Sequence, residues 1–350
     1  MSITKQQLKH FASGLLSLAA GAALLNPAPV LAQQELRPFA GDHEVHIMPT
    51  PKKVAANGLI AEVSSMPLTY HGGPVMTSAK TYAIFWLPAH LQNGGATSLP
   101  ASYQNIQASL LTLYPGHSLG NNNTQYYQVT GSGIFRFTSY IQNTGSFAGS
   151  YVDTNPYPAS GCYDSVTGYN CITDAQVQAE IQRVITLNGW TPNINTMFFL
   201  YTSSGEGSCA GSECAYTAYC AYHSYFTSGS APVIYGNMPY ADTNYCQVSG
   251  TPSPNGDAAG DAAATVTSHE LTEAITDPEL NAWYGQNLSD EIGDKCAWQY
   301  GTNTWDSGKA NESWPVSYSN LFLIGHPTIY NFELQEEWDQ HANACVQVGP

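Results

Sequence analysis

The chain has 350 residues, with 10 Lys and Arg against 26 Asp and Glu, so its formal net charge is −16. Charged residues make up 10% of the sequence, compared with about 25% in ordinary soluble domains. The negative net charge argues against a phosphate-binding surface for nucleic acid, and 43% apolar residues exclude a chain that is disordered throughout.

The acidic residues are unevenly distributed along the chain. None lies between Glu62 and Asp153, whereas nine occur from Asp257 to Asp294. The nine are Asp257, Asp261, Glu270, Glu273, Asp277, Glu279, Asp290, Glu291 and Asp294. In a chain with so few charges, this cluster indicates a functional use rather than ordinary surface.

The first 32 residues have the features of a secretion signal. Lys5 and Lys9 give a basic start, residues 11–25 form an apolar run, and Ala32 ends a segment suited to signal peptidase. The apolar run is about fifteen residues long, shorter than the roughly 20 that span a bilayer, which disfavours a membrane anchor. The sequence therefore predicts a secreted, extracellular or periplasmic protein that leaves the membrane once residues 1–32 are cleaved.

The rest of the chain is expected to form one domain. Residues 33–65 are polar and contain prolines, so they form either a pro-segment or an N-terminal arm, and residues 66–350 form the domain itself. Apolar periodicity and turn residues predict the following elements: a buried strand at 81–87, a helix at 102–114, antiparallel strands within 125–154, a helix at 174–188, a strand at 196–202, a disulfide-stapled loop region at 209–226, a strand at 232–235 and a helix at 257–276. The fold class is α/β or α+β, with a mixed sheet.

All eight cysteines lie after the predicted signal segment, and an even number in an exported chain indicates disulfides. They are Cys162, Cys171, Cys209, Cys214, Cys220, Cys246, Cys296 and Cys345. We expect Cys162 to pair with Cys171 and Cys296 with Cys345, and the sequence leaves the pairing of the other four open. A zinc–thiolate site is disfavoured because the chain has no Cys-x-x-Cys pair.

The predicted helix at 257–276 contains a spacing typical of metal-dependent hydrolases. His269 and Glu273 are four residues apart, so their side chains share one helix face. Glu270 lies one position round, where a carboxylate reaches a water bound at that face. This spacing resembles the His-Glu-x-x-His helix of the zincins, in which two helical ligands hold zinc and the Glu is the general base. Here the second ligand is Glu273 in place of His.

A catalytic zinc site needs a third protein ligand, and the acidic cluster offers several. Glu291, eighteen residues after the second ligand, is ranked first; Asp277 and then Asp294 follow. Glu279, ten residues after the histidine, has the spacing of a third ligand in another class of zinc proteases. Asp294 also suits a second role, as the partner that orients the histidine ring.

Two other interpretations fit the residues of this helix. Carboxylates are hard oxygen ligands, so a structural calcium site is one alternative, and a solvated helix end without metal is another. The histidine favours zinc or another transition metal over calcium.

Several short motifs of the chain resemble the plant EXORDIUM, or phosphate-induced, family of secreted proteins. They are LTYHGGPV at 68–75, CAYTAYCAYH at 214–223, YGNMPY at 235–240, TDP at 276–278 and WY at 283–284. The resemblance implies an extracellular compartment and an approximate architecture, for a family whose biochemical activity is not settled. Plant members lack a His-Glu pair at this helix, so His269-Glu270 departs from the plant pattern. With this pair, the chain resembles a metallopeptidase-like microbial branch.

Two functions are therefore predicted. The first is a secreted zinc peptidase that acts on a peptide or protein substrate, with His269, Glu273 and Glu291 as ligands and Glu270 as general base. The second is a non-catalytic extracellular protein of cell-wall or signalling type, similar to EXORDIUM, in which the acidic site is structural and holds calcium or no metal. The oligomeric state is left open.

Overall fold

The computed structural model describes residues 39–40, 43–57, 66–286, 290–301, 312–315 and 329–350. These residues belong to one compact unit, Glu35–Pro350. The predicted signal segment, residues 1–32, lies outside the described residues. Among the helices that are described, none is both long and apolar enough to cross a membrane.

The described residues form strands, helices and 3-10 turns. The strands in chain order are β1 (Phe39–Ala40), β2 (His43–Glu44), β3 (His46–Pro49), β4 (Thr69–Tyr70), β5 (Ala79–Trp86), β6 (Tyr127–Thr130), β7 (Phe137–Tyr140), β8 (Gly145–Asp153), β9 (Cys162–Asp164), β10 (Tyr169–Thr173), β11 (Thr196–Thr202), β12 (Gly207–Ala210), β13 (Glu213–Cys214), β14 (Tyr219–Ser228), β15 (Ala231–Met238), β16 (Trp283–Tyr284), β17 (Glu312–Pro315), β18 (Ile329–Phe332), β19 (Glu337–Asp339) and β20 (Ala344–Val346). The helices are α1 (Pro51–Asn57), α2 (Ala101–Leu113), α3 (Asp174–Asn188) and α4 (Ala258–Thr276), and the 3-10 turns are Leu119–Gln125, Gly133–Phe135 and Asp294–Cys296.

The centre of the fold is a six-stranded mixed sheet in the order β3-β14-β15-β11-β5-β8. Strand β11 runs parallel to β5 and β15, and β8 runs parallel to β5. Strand β14 is antiparallel to both β15 and β3. Every residue of β11 is buried, which explains its continuous apolar run, because strands covered on both faces do not alternate. The mixed α/β character expected from the sequence is therefore confirmed.

Two predictions about strands are corrected by the structure. The strands within 125–154 are not all antiparallel, because β8 joins the central sheet alongside β5 while β6 and β7 form their own antiparallel pair. The loop predicted at 209–226 is wrong over its second half, where β14 is a strand of the central sheet. Two aromatic residues of β14, Tyr219 and Tyr222, are fully buried in contacts that depend on the rest of the fold, so local composition did not reveal the strand.

Helices cover both faces of the sheet. The hydroxyl of Tyr222 donates to Asp174 in α3 over 2.8 Å, whereas the next residue of β14, His223, faces α4. Helix α4 begins after Asp257, whose carboxylate accepts the Gly260 N–H over 3.0 Å, and it ends two residues before Pro278. From Ala259 to Thr276 every residue of α4 is buried. This helix is therefore an internal element, packed between α2 and the sheet.

Four disulfides join all eight cysteines. The pairs are Cys162–Cys171, Cys209–Cys214, Cys220–Cys246 and Cys296–Cys345. The first and last coincide with the pairings expected from the sequence. The first two bonds lie in the smaller sheet β13-β12-β10-β9. The last fastens β20 to the 3-10 turn that follows the acidic cluster.

The described part of residues 33–65 is integrated into the core. Strand β3 forms an edge of the central sheet, and all four of its residues are buried. The indole N–H of Trp298 donates to the Pro49 carbonyl over 2.8 Å, and Val54 of α1 belongs to the hydrophobic core. This arrangement places His46, the first residue of β3, beside α4.

Candidate metal centre

Helix α4 contributes three adjacent polar side chains to the interior. His269 and Glu273 lie one turn apart, with His269 Nε2 3.1 Å from Glu273 Oε1. Glu270 faces β14 instead of the histidine of its own helix. All three side chains have no solvent exposure, so the solvated-helix interpretation does not describe this helix.

Two histidines from the sheet face these carboxylates. His46 of β3 and His223 of β14 are register partners on neighbouring antiparallel strands, so both side chains lie on the sheet face that α4 covers. Their ring centroids are 5.4 Å apart. His46 Nδ1 lies 3.1 Å from Glu273 Oε2, and His223 Nδ1 lies 3.1 Å from Glu270 Oε2. These contacts fix each ring at its Nδ1 atom and leave its Nε2 atom on the side away from that contact.

The segment after α4 supplies two further carboxylates on that side. The two oxygens of Glu291 lie 3.8 Å from His46 Nε2 and 3.9 Å from His223 Nε2. Asp294 Oδ2 lies 3.2 Å from His46 Nε2, and its Oδ1 lies 3.9 Å from His269 Nε2. Between these acids the chain passes close to the helix at Gly293. A Cβ added there would lie 2.7 Å from His269 Nδ1, so only glycine fits without displacing the ring.

These residues form two groups that could hold a metal ion. The first group is His46, His223, Glu273 and Glu291, and the second is His269, Glu273 and Asp294. Within each group, one ligand atom from every residue lies within 4.8 Å of the others. The cysteine group Cys162, Cys171 and Cys209 also meets that distance, but these sulfurs belong to disulfides.

Several buried polar atoms of the centre have no hydrogen-bond partner among the described residues. They include the Nε2 atoms of His46, His223 and His269, both carboxylate oxygens of Glu291 and Oε1 of Glu270. A buried polar group without a partner costs about 1–3 kcal/mol. A cation coordinated by these atoms would remove that cost, so the donor set fits a metal ion. Imidazole nitrogens together with carboxylate oxygens suit zinc and related transition metals.

The electrostatics of the three histidines differ. Burial lowers the pKa of His46, but nearby carboxylates, Glu291 foremost, outweigh burial and raise it well above its ordinary value. Burial also opposes the charged form of His269, yet Glu273 raises its pKa to about 10. Burial dominates at His223 and lowers its pKa to about 3. The carboxylates of the centre therefore favour positive charge at His46 and His269 even though both rings are buried.

The carboxylates show the reciprocal effect. Burial raises the pKa of Glu270, Glu291 and Asp294. Burial acts in the same direction on Glu273, but His269 and His46 outweigh burial and lower the pKa of this carboxyl group. The centre thus contains more carboxyl groups than positive groups to pair with them, and a divalent cation would supply positive charge.

The structure sorts the residues predicted from the sequence. Glu291 shares a ligand group with Glu273, and Asp294 shares one with both His269 and Glu273, whereas Glu279 and Asp277 belong to neither group. Asp277 Oδ1 instead accepts the N–H groups of Asn281 and Ala282, each over 2.6 Å, just beyond the end of α4. Glu270 is also outside both groups, as a general base would be.

The partner that orients His269 differs from the expected one. Asp294 lies on the Nε2 side of the ring, among the ligand atoms. The Nδ1 side is occupied by Gln335, whose Nε2 is 3.0 Å from His269 Nδ1 and donates to the Gly293 carbonyl over 3.0 Å. Glutamine thus takes the orienting position because the residues before β19 pass behind the ring.

Sequence reasoning missed His46, His223 and Gln335. Each lies far from the helix motif in the chain, and no spacing connects it to that motif. One sign was present for His223, which ends the motif at 214–223 that resembles the EXORDIUM family. His46 lay in a segment considered a pro-segment or an arm.

Fold and centre together define a disulfide-stapled α/β protein with a buried histidine–carboxylate cluster suited to a metal ion. In sequence, the chain is similar to Protein EXORDIUM-like 5 of Arabidopsis thaliana, with 40% identity over 95 residues. The aligned region covers 26% of this chain and 26% of the plant protein, so the likeness concerns about a quarter of each. No protein-family model matches the chain, and no solved structure matches it.

Proposed function

We propose that this protein is an extracellular metalloprotein that binds a divalent transition metal, with zinc expected first. One observation supports the proposal above all: the Nε2 atoms of His46 and His223 converge on the carboxylate of Glu291, and neither they nor its two oxygens have hydrogen-bond partners among the described residues. Calcium coordinates oxygen and rarely imidazole, so the two histidines of the first group disfavour the calcium alternative.

The extracellular compartment is supported by three independent features. Four disulfides persist in oxidising compartments and are rare in the cytosol. The first 32 residues have the composition of a secretion signal. The likeness to Protein EXORDIUM-like 5 agrees with the motifs that resemble that secreted family.

Within this proposal, the metal is structural and the protein is non-catalytic, of the EXORDIUM-like cell-wall or signalling type. The first group offers four protein ligands, the number that structural zinc sites usually have. Its members are buried, His46 being the most exposed at 4%. A metal held there would join β3, β14 and α4, which are far apart in the chain, and would also bind Glu291.

A secreted zinc peptidase of a metallopeptidase-like microbial branch is the second candidate, favoured by Glu270. Its Oε2 is hydrogen-bonded to His223, while its Oε1 has no partner among the described residues. A bound zinc ion would acidify a water molecule and polarise a peptide carbonyl. Glu270 would take the proton from that water and pass it to the leaving amine of a peptide or protein substrate.

Metal analysis of the purified full-length protein tests the proposal. We expect zinc in stoichiometric amount, and its removal by a chelator should lower the free energy of unfolding. A His223→Ala variant should lose the metal, whereas His90→Ala, which changes an exposed histidine outside the centre, should retain it. Protein without stoichiometric metal after zinc loading would refute the metalloprotein.

The Glu270→Gln variant separates the two candidates. If the metal is structural, neither the zinc-loaded wild type nor the variant should hydrolyse unfolded protein or peptide substrates. Hydrolysis by the wild type that Glu270→Gln abolishes, with metal content unchanged, would replace the structural assignment with the peptidase.

A further inference from the structure

We propose that the centre holds two divalent cations bridged by the carboxylates of Glu273 and Asp294. This inference rests on the proposed metalloprotein and extends it from one ion to a pair. The starting observation is that Glu273 belongs to both ligand groups, the one with His46, His223 and Glu291 and the one with His269 and Asp294.

The two carboxylates each face both groups. Glu273 directs Oε1 to His269 Nε2 over 3.1 Å, and it directs Oε2 to the strand histidines, 3.1 Å from His46 Nδ1 and 3.7 Å from His223 Nδ1. Asp294 repeats the arrangement, with Oδ2 3.2 Å from His46 Nε2 and Oδ1 3.9 Å from His269 Nε2. Carboxylates whose two oxygens face different imidazoles are placed as bridges between neighbouring cations.

The third histidine provides the independent observation. His269 Nε2 is fully buried, has no hydrogen-bond partner among the described residues, and points into the space between Glu273 and Asp294. Gln335 lies at its Nδ1, so Nε2 is the nitrogen that faces the carboxylates of Glu273 and Asp294. A single ion in the first group does not use His269, because that residue is not a member of it.

Charge balance points the same way. Four carboxylates have an oxygen within 4 Å of one of the three imidazoles, from Glu270, Glu273, Glu291 and Asp294, and the buried carboxyl group of Glu337 lies close enough to interact with His269. One divalent cation would leave two negative charges in the interior if the imidazoles are neutral, and two divalent cations would balance all four. Lys295, which follows Asp294 in the chain, pairs with Asp290 at 2.9 Å.

Metal stoichiometry measured by mass spectrometry of zinc-loaded full-length protein tests the pair. The wild type should hold about two ions per chain, in line with sites in which two metals share bridging ligands. His269→Ala should hold about one, because the first group stays intact, and His90→Ala should match the wild type. One ion in both the wild type and His269→Ala overturns the pair while the metalloprotein stands. No ion in the wild type overturns both.

Cobalt titration of metal-free wild-type protein gives a second measurement that depends on no variant's folding. Bridged Co²⁺ ions couple magnetically, so we expect the paramagnetic resonance signal per cobalt to fall as the second equivalent binds. Two equivalents with undiminished signal would show separate, unbridged ions and would overturn the inference, as would saturation at one equivalent. Asp294→Asn should retain cobalt in the first group and lose the coupling.

Discussion

Replacing Glu291 by Gln removes one charge from the centre while preserving the size of the side chain. In the structure both carboxylate oxygens lie within 4 Å of histidine Nε2 atoms, and neither accepts a hydrogen bond from the described residues. Changes behind a ligand reduce metal affinity by about 10–100-fold, so loss of a direct ligand should cost at least about 100-fold. With zinc near saturation, that corresponds to about 2.7 kcal/mol of stability.

The same substitution should have the opposite sign in the metal-free protein. Burial raises the pKa of Glu291, which means that its ionised form is unfavourable in the folded chain. A neutral amide avoids that cost, so metal-free Glu291→Gln should be as stable as the metal-free wild type or more stable. The substitution therefore destabilises the protein only when zinc is present.

Chemical denaturation with and without zinc measures both effects, and a chelator competition titration gives the affinity. Glu279→Gln is the matched control, because it makes the same change in the same acidic segment at a half-buried position outside both ligand groups. Equal zinc affinities for the wild type and Glu291→Gln would refute Glu291 as a ligand. Equal losses of zinc affinity in Glu291→Gln and Glu279→Gln would show that only the net charge of the acidic cluster affects zinc binding.

Three further outcomes are expected. Gln335→Leu removes the group that orients His269, so zinc affinity in a competition titration should fall by about 10–100-fold while the fold is retained. Burial raises the pKa of Glu206 from 4.5 to about 7, so the stability it contributes below pH 4.5 should be lost as the pH rises to about 7. When the free energy of unfolding is measured in urea across this pH range, Glu206→Gln should lack that part of the decline. Parallel pH profiles for the wild type and the variant would contradict the raised pKa of Glu206. Replacing both Cys296 and Cys345 by Ser opens a bond that spans 49 positions and should cost about 4 kcal/mol in the same assay, whereas an unchanged midpoint would show that this bond does not constrain the unfolded chain.

The elements that the sequence predicted well were those with local determinants. Helix α4 was expected at 257–276 and occupies 258–276, because Asp257 caps its start and Pro278 prevents its continuation. Strand β11 coincides with its predicted range, because a short apolar run bounded by polar residues has few alternatives. The pair His269 and Glu273 followed from helix geometry alone, without knowledge of the tertiary structure.

The rest of the centre depends on tertiary register, which local patterns do not contain. His46 and His223 meet because β3 pairs with β14 in one particular alignment, and a shift by one residue would turn one of them away from α4. The strand character of β14 was hidden by its Cys and Tyr content, which is typical of stapled loops. Among the downstream acids, spacing ranked Glu291 first, but only the folded chain distinguishes its position from that of Asp277.

The position of β3 at the edge of the central sheet has a consequence for the order of assembly. The proposed ligand residues on β3, β14 and α4 become neighbours only after β3 has paired with β14 and α4 has packed against both strands. A chain whose synthesis has not reached residue 291 already contains the helical pair but lacks Glu291 and Asp294. We therefore expect the proposed metal ion to bind late in maturation, from the ions present in the compartment where the complete chain folds.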